Sequence, residues 1–302
     1  MCSLNVEIPK LDDYSNIPKG DMPGDKIEID KGKIEKAEAI FLELMKSVPS
    51  LLEKGKIVIS VYGGSGVGKS EIGSLLAYYF NHMKIKAYLM SGDNYPHRIP
   101  MQNDAERLRV FREYGIKGLV ASGKYSRKIN EDIIGLQALD LDFDPKLCNE
   151  HPELEIYQEK GKESLFNYLG TDKELDFSEI NGIIEQFKNG SESIFLKRMG
   201  REIHELWYEM IPMKEVQILI IEWTHGNNPN LVGIDMPIFL NSTPEETKAH
   251  RRSRNRDGNI DSPFTNMVLE IEQAKLYDQA QNAKLIVLKS GEIVSFEQFK
   301  KI

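Results

Sequence analysis

Cysteine and long apolar runs are scarce in this chain of 302 residues. Its 2 cysteines, Cys2 and Cys148, are too few for a disulfide framework and lack the spacing of metal ligands. No apolar run is long enough to cross a membrane. Asp12, Asp13 and Asp21 stand where a secretory leader would need an apolar core. We therefore expect a cytoplasmic protein with no membrane partner.

An excess of positive charge is absent as well. The formal net charge is −8, which argues against a broad surface for nucleic acid and leaves only local basic sites for phosphates. With 40% hydrophobic and 28% charged residues, the composition is typical of a globular protein. The length suits one large α/β domain or a domain with an insertion.

A glycine-rich segment, residues 63–70, is the strongest signal present. It fits the pattern Gly-x4-Gly-Lys-Ser/Thr at every fixed position. The β-branched run 57–62 before it is typical of a buried parallel strand, and residues 71–80 after it have apolar side chains at helical spacing. Backbone N–H groups of such a loop, with the helix N-terminus, bind a triphosphate. The predicted nucleotide-binding residues of this phosphate loop are Gly63, Gly64, Ser65, Gly66, Val67, Gly68, Lys69 and Ser70.

The last two residues of the phosphate loop have specific expected roles. Lys69 should reach the β- and γ-phosphates, and the Ser70 hydroxyl should ligate Mg²⁺. The chain has no Asn-Lys-x-Asp element for reading guanine, so the predicted nucleotide is ATP. A switch GTPase is correspondingly disfavoured.

Two carboxylates follow predicted strands at the edge where ligands bind. Asp93 comes just after the strand predicted over residues 85–90, and Glu222 ends the apolar strand 216–222. Asp93 can accept a proton from a hydroxyl that attacks the γ-phosphate, although it could also be a turn residue. Glu222 can order Mg²⁺ or its water shell, the alternative being an ordinary acid at a strand end.

A cluster of arginines follows a helix that begins at Pro244. Arginines on a mobile lid can stabilise the charge on a phosphoryl group in transfer. The alternative is a solvated basic face of the helix. The candidates for the catalytic role, together with Lys69 and Asp93, are Arg251, Arg252, Arg254 and Arg256.

The order of strands and helices predicts a three-layer α/β fold, with a parallel sheet covered by helices on both faces. Residues 1–30 are expected to form an irregular arm, and residues 31–302 one domain. Within it, residues 121–172 are predicted to be an irregular insertion, whose acidic patch 140–145 is interpreted as a solvated loop rather than a metal site. The other predicted elements are helices over 31–53, 104–119, 177–187 and 266–280, and strands over 193–196, 237–241 and 285–288.

The order of these motifs resembles the uridine kinase and phosphoribulokinase group of phosphate-loop kinases. The matching residues are Asp93-Asn94-Tyr95 after a strand, Glu222-Trp223 at a strand end, and Arg251-Arg252 on the lid, over residues 56–95 and 175–290. The resemblance implies transfer of the γ-phosphate of ATP to a hydroxyl of a small molecule. It also implies that Asp93 is the base, that Glu222 supports the metal and that the arginines close over the phosphates.

The segment 195–201 departs from that group's pattern. Three positive charges stand where uridine kinases have an aromatic residue and an acid, and Trp223 replaces a glycine of the pocket wall. Lys197, Arg198 and Arg201 therefore predict an anionic substrate, unless they are ordinary surface charges.

Five further positions complete the predicted substrate site. Asp93 and Tyr95 belong to the Asp-x-Tyr motif, Arg98 follows shortly after, and Thr224 and His225 lie in the polar loop after Glu222. A histidine in such a loop is more often a packing or capping residue than a catalyst.

Two alternatives remain open. Residues 91–94, Ser-Gly-Asp-Asn, are similar to the Asp-Gly-Asp-Asn element of adenylylsulfate kinases, which phosphorylate an anionic nucleotide. The chain could also be an ATP-binding regulatory protein without small-molecule turnover, although such a binder would not need Asp93. The sequence does not decide whether the protein forms a homo-oligomer.

Overall fold

A six-stranded sheet organises the chain in a computed structural model, which describes residues 8, 9, 11, 16–254 and 262–302, the side chains of 253 and 254 excepted. In chain order the strands are β1 (Ile57–Gly63), β2 (Ala87–Ser91), β3 (Ser193–Met199), β4 (Leu206–Pro212), β5 (Ile218–Glu222), β6 (Met236–Leu240), β7 (Leu285–Val287) and β8 (Ile293–Val294). The sheet order is β2-β5-β1-β6-β7-β8, parallel except for β8, and β3 and β4 form a separate antiparallel hairpin.

Helices cover both faces of this sheet, as alternate residues of β1 demonstrate. Ile59 belongs to the same buried cluster as Phe41 and Leu76, whereas Val58 belongs to the opposite cluster with Ile184. The predicted three-layer α/β fold is therefore confirmed. The helices are α1 (Lys31–Leu44), α2 (Val48–Leu52), α3 (Lys69–His82), α4 (Pro100–Ala121), α5 (Arg127–Ala138), α6 (Glu153–Phe166), α7 (Phe177–Lys188), α8 (Pro244–Arg254), α9 (Pro263–Gln279) and α10 (Phe296–Phe299).

The prediction that residues 121–172 are irregular is wrong. The segment contains α5 and α6, which pack with α4 around their own core, including Phe111, Ile133 and Tyr157. The Ser126 side chain accepts a hydrogen bond from the backbone N–H of Ile129 and so begins α5. Frequent charged residues on the outer face hid the narrow apolar stripe of each helix.

The interpretation of the acidic patch as a solvated loop is wrong at Asp142, which is completely buried. Arg112 donates to its carboxylate from Nε at 3.1 Å and from Nη2 at 2.8 Å, and the Tyr157 hydroxyl donates at 2.7 Å. This ion pair ties α4 and α6 to the connection between them. Charge alone could not reveal it, because the partners lie 15 and 30 residues away.

Within the described part of the chain, none of the helices combines the length and the apolar character that a membrane span requires. A helix and a strand also differ from the predictions. The helix predicted over 31–53 is divided into α1 and α2 by a turn over residues 45–47. The hairpin strand β4 was not predicted, because its side chains are mostly exposed and do not alternate in polarity. The division into an arm and a domain stays a prediction.

Candidate active site

The phosphate loop has the backbone geometry that its glycines make accessible. Gly66 has a φ of 77° and Gly68 a φ of 96°, values that side chains with a β-carbon rarely adopt. At Gly63 there is no room for a side chain, because a β-carbon there would lie 2.4 Å from the carbonyl oxygen of Leu240. The helix α3 begins directly at Lys69, so the loop ends at a helix N-terminus suited to an anion.

Lys69 and Ser70 both lie at this N-terminus. The Lys69 ammonium donates to the carbonyl oxygen of Gly64 at 3.1 Å and is 9% exposed. The Ser70 hydroxyl donates to a carboxylate oxygen of Glu222 at 3.2 Å. The Ser91 hydroxyl donates to the other oxygen of that carboxylate. The two predicted metal ligands, Ser70 and Glu222, are therefore in direct contact, and their binding of Mg²⁺ stays a prediction.

Glu222 is buried at the end of β5, where Val61 of β1 and Ser91 of β2 flank it in register. Burial and the negative charge of Asp93 raise the pKa of Glu222 to about 8, and the charge of Lys69 opposes this rise. A divalent cation would offset both causes, and carboxylate and hydroxyl oxygens are ligands that Mg²⁺ accepts. The pair of Ser70 and Glu222 therefore fits a magnesium ion.

Asp93 lies in a short 3₁₀ helix, Gly92–Asn94, directly after β2. Its side chain is exposed at the same sheet edge, within electrostatic reach of Glu222. Gly92 is covered by Trp223, since a β-carbon there would lie 2.1 Å from the indole Cγ. The tryptophan that replaces the group's glycine is thus accommodated by a glycine on the neighbouring strand end.

Asp21, in the described part of the N-terminal arm (residues 16–30), also belongs to this edge. Its carboxylate accepts hydrogen bonds from the Ser91 backbone N–H at 2.7 Å and from the Asn94 amide at 3.1 Å. It also accepts from the Tyr88 hydroxyl at 3.1 Å and from Arg198 at 3.0 Å. Burial raises its pKa to about 6, against the lowering effect of Arg198. No local pattern in the sequence pointed to this role.

The three cations predicted to bind substrate lie in different environments. The Arg198 guanidinium is buried and pairs with Asp21 and with Glu209 at 3.1 Å. The Lys197 ammonium donates to the carbonyl oxygen of Pro96 at 3.2 Å and lies 3.9 Å from Glu179. Arg201 is exposed. Two of the three cations, Lys197 and Arg198, are thus paired with groups inside the protein. Contact of any of the three with a substrate stays a prediction.

Tyr95 and Arg98 follow Asp93 closely in the chain. Tyr95 is completely buried, and its hydroxyl accepts from the backbone N–H of Lys197 at 3.3 Å. Arg98 is half-buried and donates to the Tyr168 hydroxyl at 3.2 Å. Tyr95 therefore packs in the core and contacts the backbone of β3, and a substrate contact of either residue stays a prediction.

Thr224 is partly exposed in the loop after β5, whereas His225 is buried there. The imidazole packs edge-on against Trp223, with ring centroids 5.3 Å apart. It also covers Gly170, where a β-carbon would lie 2.9 Å from Nδ1. Burial lowers the pKa of His225 to about 4. Packing accounts for the position of His225, and its contact with substrate, like that of Thr224, stays a prediction.

His225 should make the stability of the protein depend on pH. Because the folded state lowers the pKa of this base from 6.5 to about 4, the unfolded chain binds the proton more readily. Above about pH 6.5 the imidazole is neutral in both the folded and the unfolded state, and the protein keeps its full stability. As the pH falls from there towards 4, protonation of the unfolded chain should remove about 3 kcal/mol from the unfolding free energy. Urea unfolding at pH 7 and pH 4.5 should show a weaker dependence in His225→Gln. His97→Gln, at an exposed position, should behave like the wild type, and equal slopes in all three proteins would contradict the prediction.

The predicted lid is the helix α8, which lies against the phosphate loop. His250 Nδ1 is 2.8 Å from the carbonyl oxygen of Gly66. Arg251 is buried, packs against Gly66 and donates to the carbonyl oxygen of Pro244 at 2.8 Å. Arg252 is exposed at the same end of the helix.

The four arginines thus differ in position. Arg254 ends α8, with its side chain outside the described atoms, and Arg256 lies outside the described residues. The catalytic role of each arginine stays a prediction.

Comparisons with known proteins bear on this site. A scan against profiles of known protein families finds no match. Over 240 residues, 80% of its length, the chain is 39% identical to the bifunctional alpha-galactosidase/sucrose kinase AgaSK of Mediterraneibacter gnavus, and it spans 21% of that protein. A fructose transport system kinase of Silicibacter sp. TM1040 has a TM-score of 0.46 at 14% identity, covering 82% of this chain and 95% of its own. A protein described as a uridine kinase of Bacillus stearothermophilus has a TM-score of 0.40 at 13% identity, covering 81% and 98%.

The chain is therefore similar over most of its length to part of a relative whose name includes sucrose kinase, in line with the kinase-like motifs of its sequence.

Proposed function

We propose that the protein is an ATP- and Mg²⁺-dependent phosphotransferase that moves the γ-phosphate to a hydroxyl of a small carbohydrate. One observation carries the proposal. The phosphate loop with Lys69 and Ser70, the buried Glu222 and the exposed Asp93 converge at the carboxyl edge of β1, β5 and β2. These are the groups that phosphoryl transfer needs.

The phosphate loop favours kinase activity over the other activity in the relative's name. A glycine loop that ends at a helix N-terminus binds a triphosphate, whereas glycoside hydrolysis needs a pair of carboxylates around a sugar.

Each residue has a distinct role in the proposed reaction. Lys69 and the loop amides hold the triphosphate, and Ser70 and Glu222 hold Mg²⁺, which neutralises phosphate charge when bound. Asp93 accepts the proton of the attacking hydroxyl. An arginine of α8 stabilises charge on the phosphoryl group.

A neutral acceptor agrees better with the surroundings of Lys197 and Arg198 than an anionic one does. Both cations already have anionic partners, Glu179 for the lysine and Asp21 and Glu209 for the arginine. An anionic acceptor would have to displace these carboxylates, whereas a sugar could bind beside them. The name of the relative makes sucrose the first acceptor to test. A cytoplasmic location is part of the same proposal.

An acceptor panel with Mg·ATP tests the proposal through ADP release above the background without acceptor. The panel contains sucrose, fructose, glucose, fructose 6-phosphate, uridine and adenylylsulfate. We expect stimulation by a neutral sugar and none when EDTA removes Mg²⁺. Stimulation by adenylylsulfate alone would instead indicate an adenylylsulfate kinase. Binding of ATP without stimulation by any acceptor would instead support a regulatory protein.

A further inference from the structure

The side chain of Gln273 on α9 is buried, although part of its amide group lacks a hydrogen-bond partner among the described residues. It is 7% exposed, and no described residue accepts a hydrogen bond from its Nε2. A buried N–H group without an acceptor is costly, so such a group in a folded protein calls for an explanation. The proposed function leaves this residue unused.

The carboxamide of Gln273 lies against the phosphate loop, with its oxygen nearest to Gly64. Its Oε1 lies 3.2 Å from the point where Gly64 would carry a β-carbon. The carbonyl oxygen of Gly64 is also the acceptor for the Lys69 ammonium, at 3.1 Å. Gln273 lines a small cavity between this loop and the lid helix α8, together with Ser65, Thr247 and others. Since Nε2 and Oε1 are bonded to the same carbon, the unpartnered N–H groups belong to a carboxamide that lines this cavity beside the loop.

The preceding residue, Glu272, indicates which charged groups of the site lie near this part of α9. Arg107 holds its carboxylate at 3.6 Å. Burial raises the pKa of Glu272 to about 7, with Lys69 lowering it and Asp93 raising it further. This part of α9 is therefore within electrostatic reach of both the phosphate-binding lysine and the candidate base, between which the phosphoryl group must pass.

We propose that Gln273 donates a hydrogen bond from Nε2 to the terminal phosphate of bound ATP, an inference that rests on the proposed function. The amide is held by packing rather than by a lid that moves, so it is oriented before the nucleotide arrives. It transfers no proton and forms no covalent bond. Because ADP lacks the terminal phosphate, Gln273 distinguishes the substrate nucleotide from the product.

The test compares Gln273→Met with the wild type, since methionine keeps the volume and removes both donors. Calorimetry with Mg²⁺ would measure the affinities for ADP and for the non-hydrolysable analogue adenylyl-imidodiphosphate. We expect Gln273→Met to weaken binding of the analogue about tenfold, because an N–H bond to a charged group is lost. ADP binding should change less than about twofold, and turnover should fall roughly a hundredfold.

Gln279→Met is the matched control, because Gln279 has similar burial at the far end of α9. It should leave the ratio of the two affinities unchanged. Gln273→Glu should weaken analogue binding more than Gln273→Met does, by placing a negative charge beside the phosphate, and this variant keeps the test valid if the methionine variant unfolds.

Equal effects of Gln273→Met on both nucleotides, or no effect, would overturn the role of Gln273. A wild-type protein that binds neither nucleotide would overturn the proposed function itself, and the role with it.

Discussion

Replacing Asp93 by asparagine is expected to lower the turnover number by a factor of about a hundred to ten thousand, the usual contribution of a general base. Asparagine has nearly the same shape but cannot accept the proton of the attacking hydroxyl. The side chain is exposed after β2, so the fold should tolerate the change. ATP affinity should stay nearly constant, because Lys69 and the loop amides bind the triphosphate. Stopped-flow ADP release and calorimetry would separate the two quantities.

Asp132→Asn serves as the control for this variant, because Asp132 is an exposed acid on α5. Its turnover should equal that of the wild type. If Asp93→Asn kept full turnover with the preferred acceptor, Asp93 would not be the base. If it lost ATP binding instead, its role would lie in holding the metal or the nucleotide.

Replacing Lys69 by methionine is expected to lower kcat/KM roughly a hundredfold to a thousandfold, as the loss of a preorganised charged donor does. The native ammonium has one hydrogen bond within the described residues, to Gly64, so its removal should cost little stability. Because Lys69 lowers the pKa of Glu222, its loss should also leave that carboxylate more protonated and weaken Mg²⁺ binding. The apparent KM for Mg²⁺ should therefore rise in the variant.

Lys46→Met, an exposed change at the end of α1, should match the wild type in rate and in metal dependence. Thermal unfolding would confirm that Lys69→Met is folded. A folded Lys69→Met protein with unchanged kcat/KM would contradict the assignment of the phosphate loop as the site of the donor nucleotide.

Local patterns led to the candidate residues on the nucleotide side, which the structure places at one edge of the sheet. The phosphate loop depends on residues that are adjacent in sequence, since a strand, a glycine-rich loop and a helix N-terminus follow one another directly. Glu222 and Asp93 were identified from a general property of parallel sheets, whose carboxyl ends share one edge. For these residues, sequence position and position in space are linked by regular secondary structure.

The acceptor side depends on contacts that local patterns do not encode. Lys197 and Arg198 suggested an anionic substrate because their partners were unknown, and those partners include Asp21, which lies 177 residues from Arg198. Gln273 had no motif at all, since its significance comes from the burial of its amide against the loop. Arg251, Arg252 and Arg254 lie on the helix α8, but the inward position of Arg251 follows from how α8 packs on Gly66.

The arm that carries Asp21 has a consequence for the order of folding. Its carboxylate needs β2 and the hairpin strand β3 to be in place before its four donors exist. Closing so long a chain segment is entropically costly and is rewarded only when the later contacts form. The arm is therefore expected to dock late in refolding, after the central sheet, and secondary structure should recover before the segment that carries Asp93 is fixed. A chain stopped during synthesis before Arg198 would hold a complete phosphate loop and an arm with its main counter-ion missing.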